Sequence, residues 1–159
     1  MRKLNIALVA HDSRKVELIE WVKFNIDVLK EHNLFATGTT GKLISNIEIH
    51  YESIEFDYIV VKPLSDAVNC LFSGPCGGDQ QIGALIAEEK IDVLIFFCDN
   101  MATQGHQQDI GALSRLASLY NIAFATNRTT ADMILTSPLF ASEDYKPIKP
   151  NFSNYLNRM

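Results

Sequence analysis

The sequence predicts an α/β fold: one mostly parallel sheet with helices on both faces, a three-layer sandwich in a single domain spanning residues 1–159. Three observations predict it. Residues 4–10 and 91–97 are apolar runs broken only near their starts, by Asn5 and Asp92, too apolar for a strand with one wet face and suited to parallel strands buried on both. Between such runs lie stretches with apolar residues at helical spacing, so that strands alternate with helices. The length of 159 residues, with 47% hydrophobic and 21% charged, suits one well-formed core. No repeat, low-complexity tract or linker divides the chain.

The first strand, residues 4–10, ends at His11 and Asp12. Val16, Ile19, Val22, Ile26 and Leu29 then mark a helix over residues 13–32. Residues 34–36 form a short strand, stopped by the turn residues Thr37, Gly38, Thr39, Thr40 and Gly41, with a brief helical piece at 42–46. Over residues 47–62 the period changes to two: Ile47, Ile49 and Tyr51 alternate with polar residues, as do Phe56, Tyr58 and Val60. This stretch reads as an extra antiparallel hairpin whose connection lies near residues 52–55. A further core strand is expected at 68–72, then a glycine-rich segment and a helix marked by Ile82, Leu85 and Ile86 that runs to residue 90. After the strand at 91–97 come a polar loop at 98–107, a helix at 108–120, a strand at 122–125 and a helix at 129–136. Pro147 and Pro150 make residues 143–159 an irregular arm that ends in a helical turn.

Composition narrows the function. The net charge is −5 and no basic run exceeds Arg14-Lys15, whereas a nucleic-acid surface needs clustered Lys and Arg. An anionic ligand must therefore be small and locally held. Three cysteines, Cys70, Cys76 and Cys98, lack metal-type spacing and suggest free thiols in a reducing cytoplasm. The run at 4–10 is too short for a signal-peptide core, and no stretch is long enough to span a bilayer, so no membrane partner is expected.

In an open α/β sheet, ligands bind outside the carboxyl ends of the strands, and here those ends are loaded with polar residues. His11, Asp12 and Lys15 follow the first strand, and Thr37, Gly38, Thr39 and Thr40 the second. Ser73, Gly74 and Asp79 follow the third, Asp99, His106 and Asp109 the fourth, and Thr126 and Asn127 the last. Each has a plainer reading as a cap, turn or surface residue; the coincidence at one sheet edge points to an active site. The threonines and glycines of 37–41 offer neutral donors for a phosphate. The segment Ser73-Gly74-Pro75-Cys76-Gly77-Gly78-Asp79-Gln80-Gln81 leads into a helix start, a ready anion site. A carboxylate in its mouth repels an anion, which suits Asp79 to chemistry beside a bound phosphate rather than to binding it. Cys76 sits close to the same helix start, but a nucleophilic thiol needs a base and none is assignable. Neither a dinucleotide fingerprint nor a Walker sequence is present.

Together these segments resemble the methylglyoxal synthase family. The resemblance rests on Val9-Ala10-His11-Asp12 with Lys15, Ala36-Thr37-Gly38-Thr39-Thr40-Gly41, Ser73-Gly74-Pro75 with Gly77-Gly78-Asp79-Gln80-Gln81, residues 90–97, and Ala125-Thr126-Asn127 with Thr130-Ala131-Asp132. It runs from about residue 5 to residue 138. It implies conversion of dihydroxyacetone phosphate to methylglyoxal and inorganic phosphate, without metal or organic cofactor, in a homohexamer inhibited by phosphate. It also implies that Lys15, Thr37, Gly38, Thr39, Thr40, Ser73 and Gly74 hold the substrate phosphate and that Asp79 is the base. His106 and Asp109 would meet the reacting carbonyl and hydroxyl end, with His11 and Asp99 lining the pocket. Arg158 is the candidate for the arginine with which some members reach a neighbouring subunit's site. The chain departs from the family twice: the connection from Gly41 to Ser73 is longer by a dozen or more residues, and the loop between Asp99 and Asp109 lacks the usual prolines. An alternative is a non-catalytic regulatory module of the same fold that binds a phosphorylated effector; such a module has no need of Asp79, His106 and Asp109 together. A sugar-phosphate isomerase is a third reading, but it needs a closing lid, and the loop at 98–107 is short for one.

Overall fold

The most apolar runs of the chain form the middle of the sheet. The computed structural model describes residues 1–52, 59–101 and 107–157. Strand β1 (Asn5–Ala10) pairs in parallel with β2 (Asn33–Thr37) on one side and with β6 (Val93–Phe97) on the other. Beyond β2 lies β5 (Val68–Leu71), and beyond β6 lies β7 (Ala123–Ala125), both parallel. The order is β5-β2-β1-β6-β7. All five residues of β6 are buried, as a run of Val-Leu-Ile-Phe-Phe requires. In β5, by contrast, Asn69 and Cys70 are exposed, so the expected core strand is an edge strand of the sheet.

Successive residues of each strand point to opposite faces, and this divides the core in two. Ile6, Leu8, Leu34, Ala36, Ile95 and Phe97 face α1 (Lys15–Phe24), α3 (Gly38–Ser45) and α6 (Arg128–Thr136), which supply Leu18, Trp21, Val22, Ile44, Ala131 and Leu135. Ala7, Val9, Leu94 and Phe96 face α4 (Gly78–Ala87) and α5 (Gln107–Leu119), through Ile82, Ile86, Leu113 and Ala117. The layers are thus helices, sheet, helices, as the sequence predicts. Trp21 links α1 to α6 by donating its indole N–H to Asp132 Oδ1 at 2.7 Å.

Two local outcomes differ from the sequence reading and a third agrees with it. The helix expected over 13–32 is a 3-10 turn at Asp12–Arg14, then α1, then the short α2 (Ile26–Leu29). It breaks at Asn25, whose amide side chain donates to the Trp21 carbonyl at 2.9 Å and competes with the helix ladder. The threonines and glycines of 37–41 are not a plain turn but the opening of α3. The expected hairpin is present as β3 (Glu48–Glu52) and β4 (Ile59–Pro63), antiparallel, with its connection outside the described residues. It is a separate two-stranded sheet, secured where Ile47, Ile49 and Leu64 join the core on the α1 face. After α6 the chain becomes irregular, and residues 145–152 have no regular structure before the short α7 (Ser153–Leu156). Asn121 holds this segment by donating to the Ile148 carbonyl at 3.0 Å. Arg158 lies outside the described residues. No helix among the described residues is long and apolar enough to cross a membrane.

At the opposite end of the sheet from the polar cluster, His32 is 0% exposed. Its Nδ1 accepts the Leu4 N–H at 3.3 Å and its ring meets the edge of Phe140 at 5.2 Å. Burial holds its pKa below the ordinary 6.5, with Lys3 adding to the depression and Glu31 and Asp92 opposing it. The unfolded chain therefore takes up this proton at a higher pH than the folded one. Stability from the neutral ring is complete above about pH 6.5 and is lost as pH falls through that value toward the folded pKa. The urea midpoint of the protein is expected to drop between about pH 7 and pH 5.5, and a His32→Gln variant should lose most of that slope. Equal slopes in both would assign the acid sensitivity to other groups.

Candidate active site

The strand order creates a switch point. From β1 the chain moves outward to β2 and β5, then returns to β6 on the other side of β1. Such a point, outside the carboxyl ends of the strands, is the crevice where open α/β sheets bind their ligands. The loop after β1 carries His11 and, one turn on, Lys15 at the first position of α1. The loop after β6 carries Cys98 and Asp99. The two are bonded together: the His11 N–H donates to the Phe97 carbonyl at 3.2 Å, and the Asp99 N–H donates to His11 Nδ1 at 2.8 Å. His11 also sits edge-on to Phe96, ring centres 5.0 Å apart.

Next to this crevice the ends of β2 and β5 interlock. Thr37 precedes α3 in extended conformation, and its side chain makes no capping bond. Gly38 then takes φ of +48°, the left-handed region where a side chain is costly. A Cβ at Gly38 would lie 2.8 Å from Ser73 Cα, so glycine also lets the two turns touch. The Gly38 N–H donates to the Phe72 carbonyl at 3.1 Å. An α-helix leaves its first N–H groups without partners inside the helix, and here they belong to Gly38, Thr39, Thr40 and Gly41. Thr40 is only 1% exposed, and its hydroxyl has no hydrogen-bond partner among the described residues. Lys15 reaches across, its Nζ 2.8 Å from Thr39 Oγ1 and 2.6 Å from Asp12 Oδ1. A helix start, buried and exposed hydroxyls and one ammonium make a pocket suited to a phosphate dianion.

The glycine segment brings Asp79 close to this turn in the chain. Ser73 is followed by a 3-10 turn at Gly74–Cys76, Gly77 in the left-handed region with φ of +95°, and then α4. The Ser73 carbonyl accepts the N–H groups of Cys76 at 2.9 Å and Gly78 at 3.0 Å, which closes the turn. Gln81 of the same run donates no charge to the site; its Oε1 accepts the Phe72 N–H at 2.8 Å and fixes the end of β5. Gly78 packs on the backbone of Phe72 and lies against Thr37, since a Cβ there would be 3.1 Å from Thr37 Cγ2. Asp79, the second residue of α4, is 8% exposed and therefore stands one residue from contact with the threonine turn.

The structure thus brings together His11, Lys15, Thr37, Gly38, Thr39, Thr40, Ser73, Gly74, Asp79 and Asp99 at one sheet edge. Asp109 is the third residue of α5, the helix that follows β6 in the chain; its backbone alone is described. His106 lies outside the described residues. Two other residues at these strand ends have structural tasks. Asn127 caps α6, its Oδ1 accepting the Thr130 N–H at 2.9 Å. Cys98 is buried, its thiol pushed up to about 11 by desolvation, which makes it inert rather than nucleophilic. Ser13 is a residue that sequence reasoning passed over. Its hydroxyl donates to Asp99 Oδ2 at 2.6 Å, a pairing across 86 positions that no local pattern announces.

Comparison with known proteins is consistent throughout. A family model described as "MGS-like domain" matches residues 17–126. The methylglyoxal synthase of Proteus mirabilis is 49% identical over 152 residues, covering 96% of this chain and 89% of that protein. That of Maridesulfovibrio salexigens is 48% identical over 160 residues, covering 97% and 96%. A crystal structure of methylglyoxal synthase from Elizabethkingia anophelis superposes with a TM-score of 0.79 at 41% identity, over 99% of this chain and 92% of that one.

Proposed function

The chain belongs to the methylglyoxal synthase family, and from that premise we propose that it eliminates phosphate from dihydroxyacetone phosphate to give methylglyoxal and inorganic phosphate. One observation carries the reading to the site: Asp79, 8% exposed, follows directly on Gly78, which packs against Thr37 at the start of the threonine-rich helix that Lys15 reaches. A binding module gains nothing from a carboxylate there, because it repels the anion. An enzyme that abstracts a proton next to a held phosphate needs it.

In this mechanism Lys15, Thr37, Gly38, Thr39, Thr40, Ser73 and Gly74 hold the phosphate through side chains and main-chain N–H groups. Asp79 takes a proton from the hydroxymethyl carbon, and charge builds on the carbonyl oxygen. His106 donates to that oxygen, with Asp109 at the same end and His11 and Asp99 closing the pocket. The enediolate phosphate then breaks its C–O bond, the phosphate leaves into the grip of Lys15 and the α3 start, and the enol tautomerises to methylglyoxal. Elimination requires that C–O bond to stand roughly perpendicular to the enediolate plane. The phosphate site therefore fixes a torsion as well as a charge. The reaction needs no metal or organic cofactor. The working form is a cytoplasmic homohexamer, and free phosphate competes for the α3 start.

The deciding experiment incubates the purified chain with dihydroxyacetone phosphate and a chelator and measures dicarbonyl and free phosphate together. Equal release of both is the expected result. Binding without turnover would favour the regulatory module, and appearance of the aldose phosphate an isomerase.

A further inference from the structure

We propose that Ser13 is a positioning residue for this reaction: it fixes Asp99 so that the Asp99 main-chain N–H holds the His11 imidazole in one tautomer. The catalytic half of this inference rests on the phosphate-elimination reading; the tautomer is a property of the resting protein.

The geometry runs as a short chain across the switch point. Asp99 Oδ2 accepts the Ser13 hydroxyl at 2.6 Å, and Asp99 Oδ1 accepts the Met101 N–H at 2.9 Å. The first distance is that of a charge-assisted bond between a hydroxyl and a carboxylate. Held by both oxygens, Asp99 presents its own N–H to His11 Nδ1 at 2.8 Å. A nitrogen that accepts this bond carries no proton, so a neutral His11 bears its hydrogen on Nε2. An imidazolium would have no lone pair to offer. The edge-on contact with Phe96 fixes the ring plane, which leaves the proton's position as the variable that this arrangement controls. His11 thereby enters the reaction as an Nε2–H donor.

Ser13 matters because a carboxylate beside an imidazole works in the other direction. It favours a proton on the nearer nitrogen and stabilises the charged ring. The Ser13 hydroxyl turns the Asp99 carboxylate onto the β1 loop and leaves the main-chain N–H to face the ring. Without that hydroxyl the carboxylate loses a charge-assisted donor, and a proton on Nδ1 becomes its natural replacement.

The test uses the full chain labelled with ¹⁵N-histidine; with 4 histidines the spectrum is simple. Two-bond ¹H–¹⁵N correlation at neutral pH, with the His11 signals assigned through their loss in His11→Gln, reads the tautomer directly. The unsubstituted protein should show bare Nδ1 and protonated Nε2. Ser13→Ala should show protonation at Nδ1, and Ser13→Thr, which keeps the hydroxyl, should restore the original pattern. In the assay Ser13→Ala should raise KM for dihydroxyacetone phosphate about five- to tenfold, with a smaller change in kcat, and Ser13→Thr should recover it. Unchanged imidazole signals in Ser13→Ala overturn the proposal, as do changed signals with unaltered kinetics in an active enzyme. If no form turns the substrate over but the signals change as expected, the elimination reading fails and the positioning of His11 stands.

Discussion

Replacing Asp79 with Asn is expected to lower kcat by about 10²–10⁴-fold while the protein still folds and still binds phosphate. The amide keeps the shape of the carboxylate but cannot take a proton. Binding is expected to survive because the groups proposed to grip the phosphate, Lys15 and the start of α3, are left in place, and removing a negative charge beside an anion favours binding. Phosphate affinity should therefore be unchanged or improved in the variant. This opposite movement of rate and affinity separates a base from a binding residue, since loss of a binding residue raises KM and leaves kcat closer to its original value. Steady-state kinetics with phosphate as inhibitor measures both. A loss of less than about tenfold in kcat would transfer the role of base to another carboxylate, with Asp99 and Asp109 the next to test.

The layered sheet was legible because its signals are local. Five apolar residues from Val93 to Phe97 have no polar member to face water, so the strand had to lie between two layers. The hairpin at β3 and β4 was legible because Ile47, Ile49 and Tyr51 keep a period of two. Where local preference and tertiary contact disagree, sequence reasoning failed. Thr37 to Gly41 has poor helix formers throughout, yet it opens α3, because Gly38 must pass within contact of Ser73 and its N–H finds the Phe72 carbonyl. The site shows the same division. Residue types at strand ends pointed to Lys15, the threonines and Asp79, since topology alone carries strand ends to one edge. Ser13 was invisible because its partner Asp99 is distant in sequence and a serine next to a helix start reads as a cap. Gln81 looked like part of a chemical motif but secures the end of β5.

Gly78→Ala is expected to cost more than any single methyl elsewhere in the glycine segment. A Cβ at Gly78 would stand 1.9 Å from the Phe72 carbonyl oxygen and 2.8 Å from its carbon, well inside contact. Both are backbone atoms at the end of β5, so no side chain can rotate away. Either α4 lifts from the sheet or the end of β5 moves, and overpacking of that kind costs about 1–3 kcal/mol or more. The same shift displaces Asp79, the next residue, from the threonine turn, so activity should fall even where enough folded protein remains to assay. Gly111→Ala in α5 is the control, because a Cβ there meets nothing within 4 Å. In a helix interior that change should be stabilising by about 0.5–1 kcal/mol, since alanine loses less backbone entropy than glycine. Urea midpoints and kcat of the two variants, measured side by side, should move in opposite directions for stability and only in Gly78→Ala for rate. A Gly78→Ala protein of unchanged stability and activity would mean that the end of β5 yields freely, and with it the argument that tight packing there is what keeps the carboxylate beside the phosphate.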